Sequence, residues 1–262
     1  MTEQLQERSI IVTGAARGIG EGIACGLAAS GALVTIADID EQAAEKAANR
    51  IRHKGGRAIG VAANVVDRAD VKGMLDAAQA AFGPLHGIIN NAGIAQSRPF
   101  LDITEADWRM IMEVNSLGVM ICMQEAAKRM IAQGNGGKIL NVASVGAKQG
   151  FEPLAHYCAS KFSVVAFTQA AAKALGKHRI TVNAICPGVV ATDMWRVIGE
   201  GYKEAGFGET DETAFNDFSA GIVLGRPSTP EDLTGVTRFL MSSDSDYMTG
   251  QAVVVDGGMV FS

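Results

Sequence analysis

The chain has 262 residues, 48% of them hydrophobic and 19% charged, which suits one large α/β domain with a substantial core and excludes a disordered chain. A formal net charge of -5, without a long basic run, argues against nucleic acid or an anionic membrane surface as partner. No apolar run approaches the roughly 18 residues of a membrane span, the polar start Met1–Arg8 is unlike a signal peptide, and the four scattered cysteines have neither disulfide-framework nor zinc-ligand spacing. A cytoplasmic, metal-free protein is the expectation.

In chain order, short β-branched runs alternate with longer alanine-rich stretches, the pattern of a parallel sheet with crossover helices. Ser9–Thr13 reads as the first strand, followed by a helix over about 19–30 that Gly31 stops. Leu33–Ala37 is the second strand, with a helix from Asp40 to Lys54. Strand Arg57–Ala62, helix Arg68–Phe82 and strand His86–Ile89 come next. Further strands are read at Lys138–Val142, Ile180–Ala184 and Val253–Val255. Their continuous apolar character implies burial on both faces. The stretches Met110–Ile131 and Leu154–Leu175 are apolar all round. A helix lying on a sheet needs one apolar stripe, so their outer faces are expected to bury against another subunit. Residues 1–262 read as a single domain, because no linker, repeat or low-complexity tract interrupts the chain.

Gly14, Gly18 and Gly20 fall between the first strand and its helix, where the chain must turn tightly, admit a pyrophosphate against its backbone and aim helix N–H groups at that anion. Asp38 ends the second strand, at the place of an acidic residue that binds adenosine ribose hydroxyls. Its charge would oppose a 2'-phosphate, so NAD is expected over NADP. Arg17, in the glycine turn, is the counter-signal. Asn90-Asn-Ala-Gly93 follows the fourth strand, with small residues and amides that let the adenosine half lie close.

Tyr157 and Lys161 stand four residues apart on a helix and so share a face. The ammonium is expected to lower the phenol's pKa from about 10, so that Tyr157 exchanges a proton with a substrate while a hydride moves. Lys161 would also hold the nicotinamide ribose. Ser144, after the strand Lys138–Val142, would bond and orient the substrate oxygen. Asn115 is an amide in an apolar helix, which needs a partner or a function; a water between it and Lys161 would complete a proton path. His156 is read as packing or subunit contact. Neither a Ser-His-Asp order nor a metal cluster emerges.

These motifs, Thr13-Gly-Ala-Ala-Arg-Gly-Ile-Gly20, Asn90-Asn-Ala-Gly93, Asn115, Ser144, Tyr157-x-x-x-Lys161 and Pro187-Gly188, resemble the short-chain dehydrogenase/reductase family over essentially the whole chain. The resemblance implies a doubly wound Rossmann-type sheet of seven parallel strands, an Asn115-Ser144-Tyr157-Lys161 catalytic group, and a homotetramer, placed here through helices 110–131 and 154–175. It implies a cofactor contact set of Gly14, Arg17, Gly18, Ile19, Gly20, Asp38, Ile39, Asn64, Val65, Asn91, Ala92, Gly93, Tyr157 and Lys161. Pro187, Gly188, Val190 and Thr192 would line the nicotinamide. Asn64-Val65 departs from the family's common Asp-Val, and an amide can make much the same hydrogen bond. Within the family, the segments Cys186–Trp195, Ser245–Gln251 and Asp256–Phe261 look like acetoin reductases (2,3-butanediol dehydrogenases) and like bacterial sorbitol and galactitol dehydrogenases.

Residues 193–226 read as a substrate lid, flexible through Gly199, Gly201, Gly206 and Gly208. Its acidic side chains speak against a carboxylate substrate or an acidic carrier protein and for a small neutral polyol or hydroxyketone. Gln149, Phe151, Met194 and Trp195 are expected in the pocket wall, with Ser144 and Tyr157 touching substrate. The rival readings are an NADPH-dependent 3-oxoacyl-carrier-protein reductase and a non-catalytic NAD-binding regulator.

Overall fold

A computed structural model describes residues 5–261. Seven parallel strands form one sheet: β1 (Ser9–Thr13), β2 (Leu33–Asp38), β3 (Arg57–Ala62), β4 (Leu85–Asn90), β5 (Gly137–Val142), β6 (Ile180–Pro187) and β7 (Ala252–Val255). Their spatial order is β3-β2-β1-β4-β5-β6-β7. Every residue of β1 is buried, as a strand covered on both faces requires. Helices α1 (Gly18–Ala28) and α2 (Glu41–His53) cover one face together with α9 (Thr234–Met241), through a core containing Ile23, Leu27, Ile51 and Met241. The opposite face carries α3 (Arg68–Phe82), α5 (Val119–Gln133) and α6 (Ala155–Leu175), packed on Met74, Ile121, Met130 and Val164. The doubly wound seven-stranded sheet expected from the sequence is present.

Local chemistry sets the helix ends. Asp40 caps α2 by accepting the Ala43 N–H at 3.0 Å, and Arg50, Arg52 and His53 sit in its last turn, where the helix dipole favours cations. Asp67 caps α3. Gly31, with φ of 91°, ends the connection after α1.

Two expectations need correction. The stretch Met110–Ile131 is not one helix. It is α4 (Glu105–Met112), started by a Thr104–Asp107 capping box, then a π-helical segment, Glu113–Gly118, then α5. The lid region contains α7 (Met194–Glu204) and α8 (Thr213–Ala220). Its glycines are largely contact points: a Cβ on Gly199 would lie 1.8 Å from the Asp211 carbonyl oxygen, one on Gly201 3.0 Å from Ser97, and one on Gly208 2.6 Å from Thr213. Of the four glycines read as hinges, only Gly206, with φ of 77° and open space around it, matches that reading.

Candidate active site

The strand order reverses between β1 and β4, and a cleft of about 730 Å³ opens at the carboxyl ends of these strands. The sequence builds it by tying two loops together. The Asn91 side-chain amide donates to the carbonyls of Thr13 (2.9 Å) and Gly14 (2.8 Å), and the Thr13 hydroxyl accepts from the Asn91 and Ala92 N–H groups, each at 3.1 Å. Gly14 lies at φ of 59°, and a Cβ there would stand 2.7 Å from the Ala92 Cα. A Cβ on Gly20 would stand 2.5 Å from the Asn91 amide nitrogen. These two positions therefore require glycine for backbone approach. Arg17 precedes α1 without a side-chain cap, so the first-turn N–H groups have no side-chain partner and face the cleft lined by Gly18 and Ile19. That cradle fits a pyrophosphate.

Beyond the carboxyl ends of β2 and β3 the cleft is lined by Asp38, Ile39, Asn64 and Val65, the residues expected at the adenosine. Asp38 has a second duty: one carboxylate oxygen accepts the Ala16 N–H at 3.1 Å and the other the Asp40 N–H at 3.3 Å, bracing the glycine turn. Arg17 reaches across the mouth to within 4.0 Å of Asp193, with both side chains largely in solvent. Pro187, Gly188, Val190 and Thr192 also line the cleft, with Thr192 beside Gly18, where an added Cβ would stand 3.5 Å from its methyl group.

Tyr157 and Lys161, one turn apart on α6, both face the cleft, with the Lys161 ammonium 5.7 Å from the phenol ring centroid. Lys161 is 5% exposed and donates to the Val142 carbonyl at 3.0 Å. Ser144 lies just beyond β5, where its hydroxyl accepts the Gly146 N–H at 3.0 Å. The expected electrostatics are corrected here. Burial pushes the Tyr157 phenol up to about 12, outweighing a hydrogen bond with Ser144 that acts the other way. Burial also pulls Lys161 down to about 8. Desolvation therefore governs both groups in the protein alone, and the ammonium does not acidify the phenol.

Asn115 sits inside the π-helical segment, a distortion that often marks functional positions. Its side chain is fully partnered: the oxygen accepts the Ile94 N–H at 2.9 Å, and the nitrogen donates to the Ile94 carbonyl (2.9 Å) and the Ser160 hydroxyl (3.0 Å). A Cβ on Gly93 would lie 3.2 Å from the Asn115 oxygen and 3.4 Å from the Lys161 nitrogen, so both border the same small space.

Phe151, Met194 and Trp195 line the cleft, but Gln149 is exposed and stands outside it. It lies beyond the buried 3-10 turn Val145–Ala147 and that turn's C-cap, Lys148. The lid acids also stand apart from the cleft. Glu200 binds Arg196 at 2.5 Å and Asp211 lies 3.7 Å from Lys203, so Asp193 is the single lid carboxylate in the lining. His156 is 1% exposed and bonded to Gln96 at 3.1 Å, which makes it internal packing and not a subunit contact. Sequence reasoning missed Ile94, Ala95, Leu154, Ile198, Phe218 and Met259, which also line the cleft. Among the described residues no group of three or more potential ligands could hold a metal ion, and no helix is long and apolar enough to cross a membrane.

Comparison with known proteins agrees with this geometry. A family model described as "Enoyl-(Acyl carrier protein) reductase" matches residues 14–260. The chain is 42% identical over 255 residues to an L-2,3-butanediol dehydrogenase of Corynebacterium glutamicum, covering 96% of this chain and 98% of that one. It is 40% identical over 256 residues to a galactitol 2-dehydrogenase of Agrobacterium fabrum, covering 97% and 98%. A solved short-chain type dehydrogenase/reductase from Mycobacterium marinum superposes with a TM-score of 0.87 at 33% identity, covering 99% of this chain and 98% of that one.

Proposed function

Because the chain belongs to the short-chain dehydrogenase/reductase family and is an alcohol oxidoreductase of that kind, we propose that it uses NAD to interconvert a secondary alcohol flanked by a second oxygen-bearing carbon with its ketone. The observation that carries this reading is the convergence of Ser144, Tyr157 and Lys161 on the same cleft that the glycine cradle and Asp38 line.

Gly14, Gly18, Ile19 and Gly20 would hold the pyrophosphate of the dinucleotide, Asp38 its adenosine ribose, and Pro187 to Thr192 its nicotinamide half. When bound, the nicotinamide supplies the hydride acceptor for oxidation and the hydride donor for reduction. The rest falls to the chain's own groups. Ser144 donates a hydrogen bond to the substrate oxygen and fixes its direction. Tyr157 in its phenolate form accepts the hydroxyl proton as the alcohol becomes a ketone, and as the phenol it returns that proton in the reverse reaction. Lys161, held on the Val142 carbonyl, keeps a positive charge within reach of the developing phenolate. Asn115 anchors the Ile94 backbone and so shapes the wall beside Gly93.

NAD is favoured over NADP by the Asp38 carboxylate at the adenosine end; Arg17 is drawn toward Asp193. The family description favours a second reading, reduction on an acyl carrier protein. Against it, the two arginines that line the mouth are both offset by carboxylates, Arg17 by Asp193 and Arg196 by Glu200 just outside the lining. A homotetramer in a reducing, cytoplasmic setting completes the proposal, supported by the four unpaired cysteines and by exposed apolar side chains on the outer helices.

The test is nicotinamide absorbance over a panel of vicinal diols, polyols and hydroxyketones. Tyr157→Phe should lower kcat at least about 100-fold while leaving NAD affinity within about twofold. Near-normal turnover in that variant would remove Tyr157 from the reaction.

A further inference from the structure

The relatives divide between a short diol and a long sugar alcohol, and the lining of the catalytic end bears on that division. Phe151 and Leu154 precede and open α6, while Trp195, Ile198 and Phe218 come from α7 and α8. These side chains form a third apolar cluster with Tyr157 itself, separate from the two cores on the sheet faces. Its rings lock together: Phe218 meets Phe151 edge-on at 5.5 Å and Trp195 at 5.5 Å, and Trp195 meets Phe215 at 5.7 Å. The catalytic phenol thus stands at the edge of an aromatic wall supplied by the lid.

The polar groups at this end are few and engaged. Ser144 and Tyr157 serve the reacting oxygen under the reading above. Arg196 is paired with Glu200 and Asp193 faces Arg17, both toward solvent. Gln149, expected in the pocket wall, lies outside the cleft and offers no amide to a second hydroxyl. A hexitol placed with its reacting carbon at Tyr157 would press several hydroxyls on Phe151, Trp195 and Phe218 without partners. Each stranded hydroxyl costs roughly tenfold in specificity. An alkyl or aryl arm meets the same surface favourably.

We infer that Phe218 and Trp195 are specificity-determining residues that select a substrate with an apolar arm beside its oxygen pair, an alkyl- or aryl-substituted vicinal diol or hydroxyketone, and reject sugar alcohols. This rests on the reading of Ser144 and Tyr157 given above. The arms of the test therefore separate the two. The full-length enzyme is assayed with NAD against 2,3-butanediol, 3,4-hexanediol, 1-phenyl-1,2-propanediol and galactitol. The expected order places hexanediol or the phenyl diol at or above butanediol in kcat/KM, and galactitol at least about 100-fold below. Turnover of galactitol equal to or better than that of the diols overturns the inference and leaves the redox reading standing. Failure of every alcohol in a protein that binds NAD overturns both. Phe218→Asn should then narrow the diol-to-galactitol ratio about tenfold, whereas Phe218→Leu should preserve it. An unchanged ratio in a Phe218→Asn protein with normal thermal unfolding removes Phe218 from the assignment. If that variant does not fold, the wild-type series and Phe218→Leu decide the matter, since a collapsed ratio with leucine would show that apolar character is not what selects.

Discussion

At the scale of single residues, Tyr157 poses the sharpest question. The spacing of Tyr157 and Lys161 suggests a phenol made acidic by a cation, yet burial dominates and holds the phenol near 12 and the ammonium near 8. The protein contains three tyrosines, so replacing Tyr202 and Tyr247 by phenylalanine leaves Tyr157 as the single reporter of tyrosinate absorbance. Without cofactor it should titrate near 12, and a midpoint below 10 would show that the ammonium governs it after all. The signs for stability are opposite. The folded state holds the Lys161 proton less tightly than the unfolded chain, so this group makes stability rise between about pH 8 and 10.5. Tyr157 is held protonated more tightly when folded, so its contribution is lost as pH climbs from 10 to about 12. Asp38 needs a similarly careful variant. Alanine would remove the charge and also the acceptor for the Ala16 N–H. Asp38→Asn keeps an acceptor and removes the charge, so the NADP-to-NAD ratio of kcat/KM should rise at least about tenfold with little loss of stability. An unchanged ratio would mean that the carboxylate faces away from the ribose.

At the scale of elements, the lid is where packing and function meet. Gly199 lets α7 approach the Asp211 carbonyl so closely that a methyl group cannot fit, at 1.8 Å. Gly199→Ala should push α7 from its neighbour, cost about 1–3 kcal/mol of stability and raise KM for the alcohol more than for NAD. A loss shared equally between both substrates would mean that the lid does not shape the alcohol pocket. The same element shows what the sequence could and could not reveal. Strands and helix starts were readable because continuous apolar runs, Asp40 and Asp67 are local signals. The nucleotide cradle was readable because its glycines lie between one strand and one helix. The π-helical segment around Asn115 was not, since one extra residue per turn hardly disturbs apolar spacing. Gly199 and Gly201 look flexible in one dimension, because the backbone they touch, at Asp211 and Ser97, lies elsewhere in the chain. Phe218 was invisible for the same reason: its contact with Phe151 spans 67 positions of sequence.

At the scale of the whole molecule, the outer surface of α4, α5 and α6 carries exposed apolar side chains. Phe162 directly follows Lys161 on α6, points the other way and is 45% exposed, and Trp108 on α4 is equally exposed. Met110, Leu117 and Ile131 add to the apolar character of these helices. Covering the exposed part of one such side chain contributes roughly half of the 1.5–3 kcal/mol of full burial, so association draws on several of them together. Self-association through α4, α5 and α6 would place a partner helix against the back of the one that carries Tyr157 and Lys161. The position of the phenol would then depend on assembly. The wild-type protein should sediment as a tetramer, and Phe162→Lys with Trp108→Lys should shift it to smaller species. Because α6 loses its outer support, kcat should fall several-fold in the dissociated protein while its fold is retained by circular dichroism. A wild-type monomer, or a double variant that stays tetrameric, would show that this surface does not join subunits. A dissociated variant with full kcat would show instead that α6 is held in place by its own chain, through contacts such as the Ser116 hydroxyl at 2.6 Å from that of Ser163.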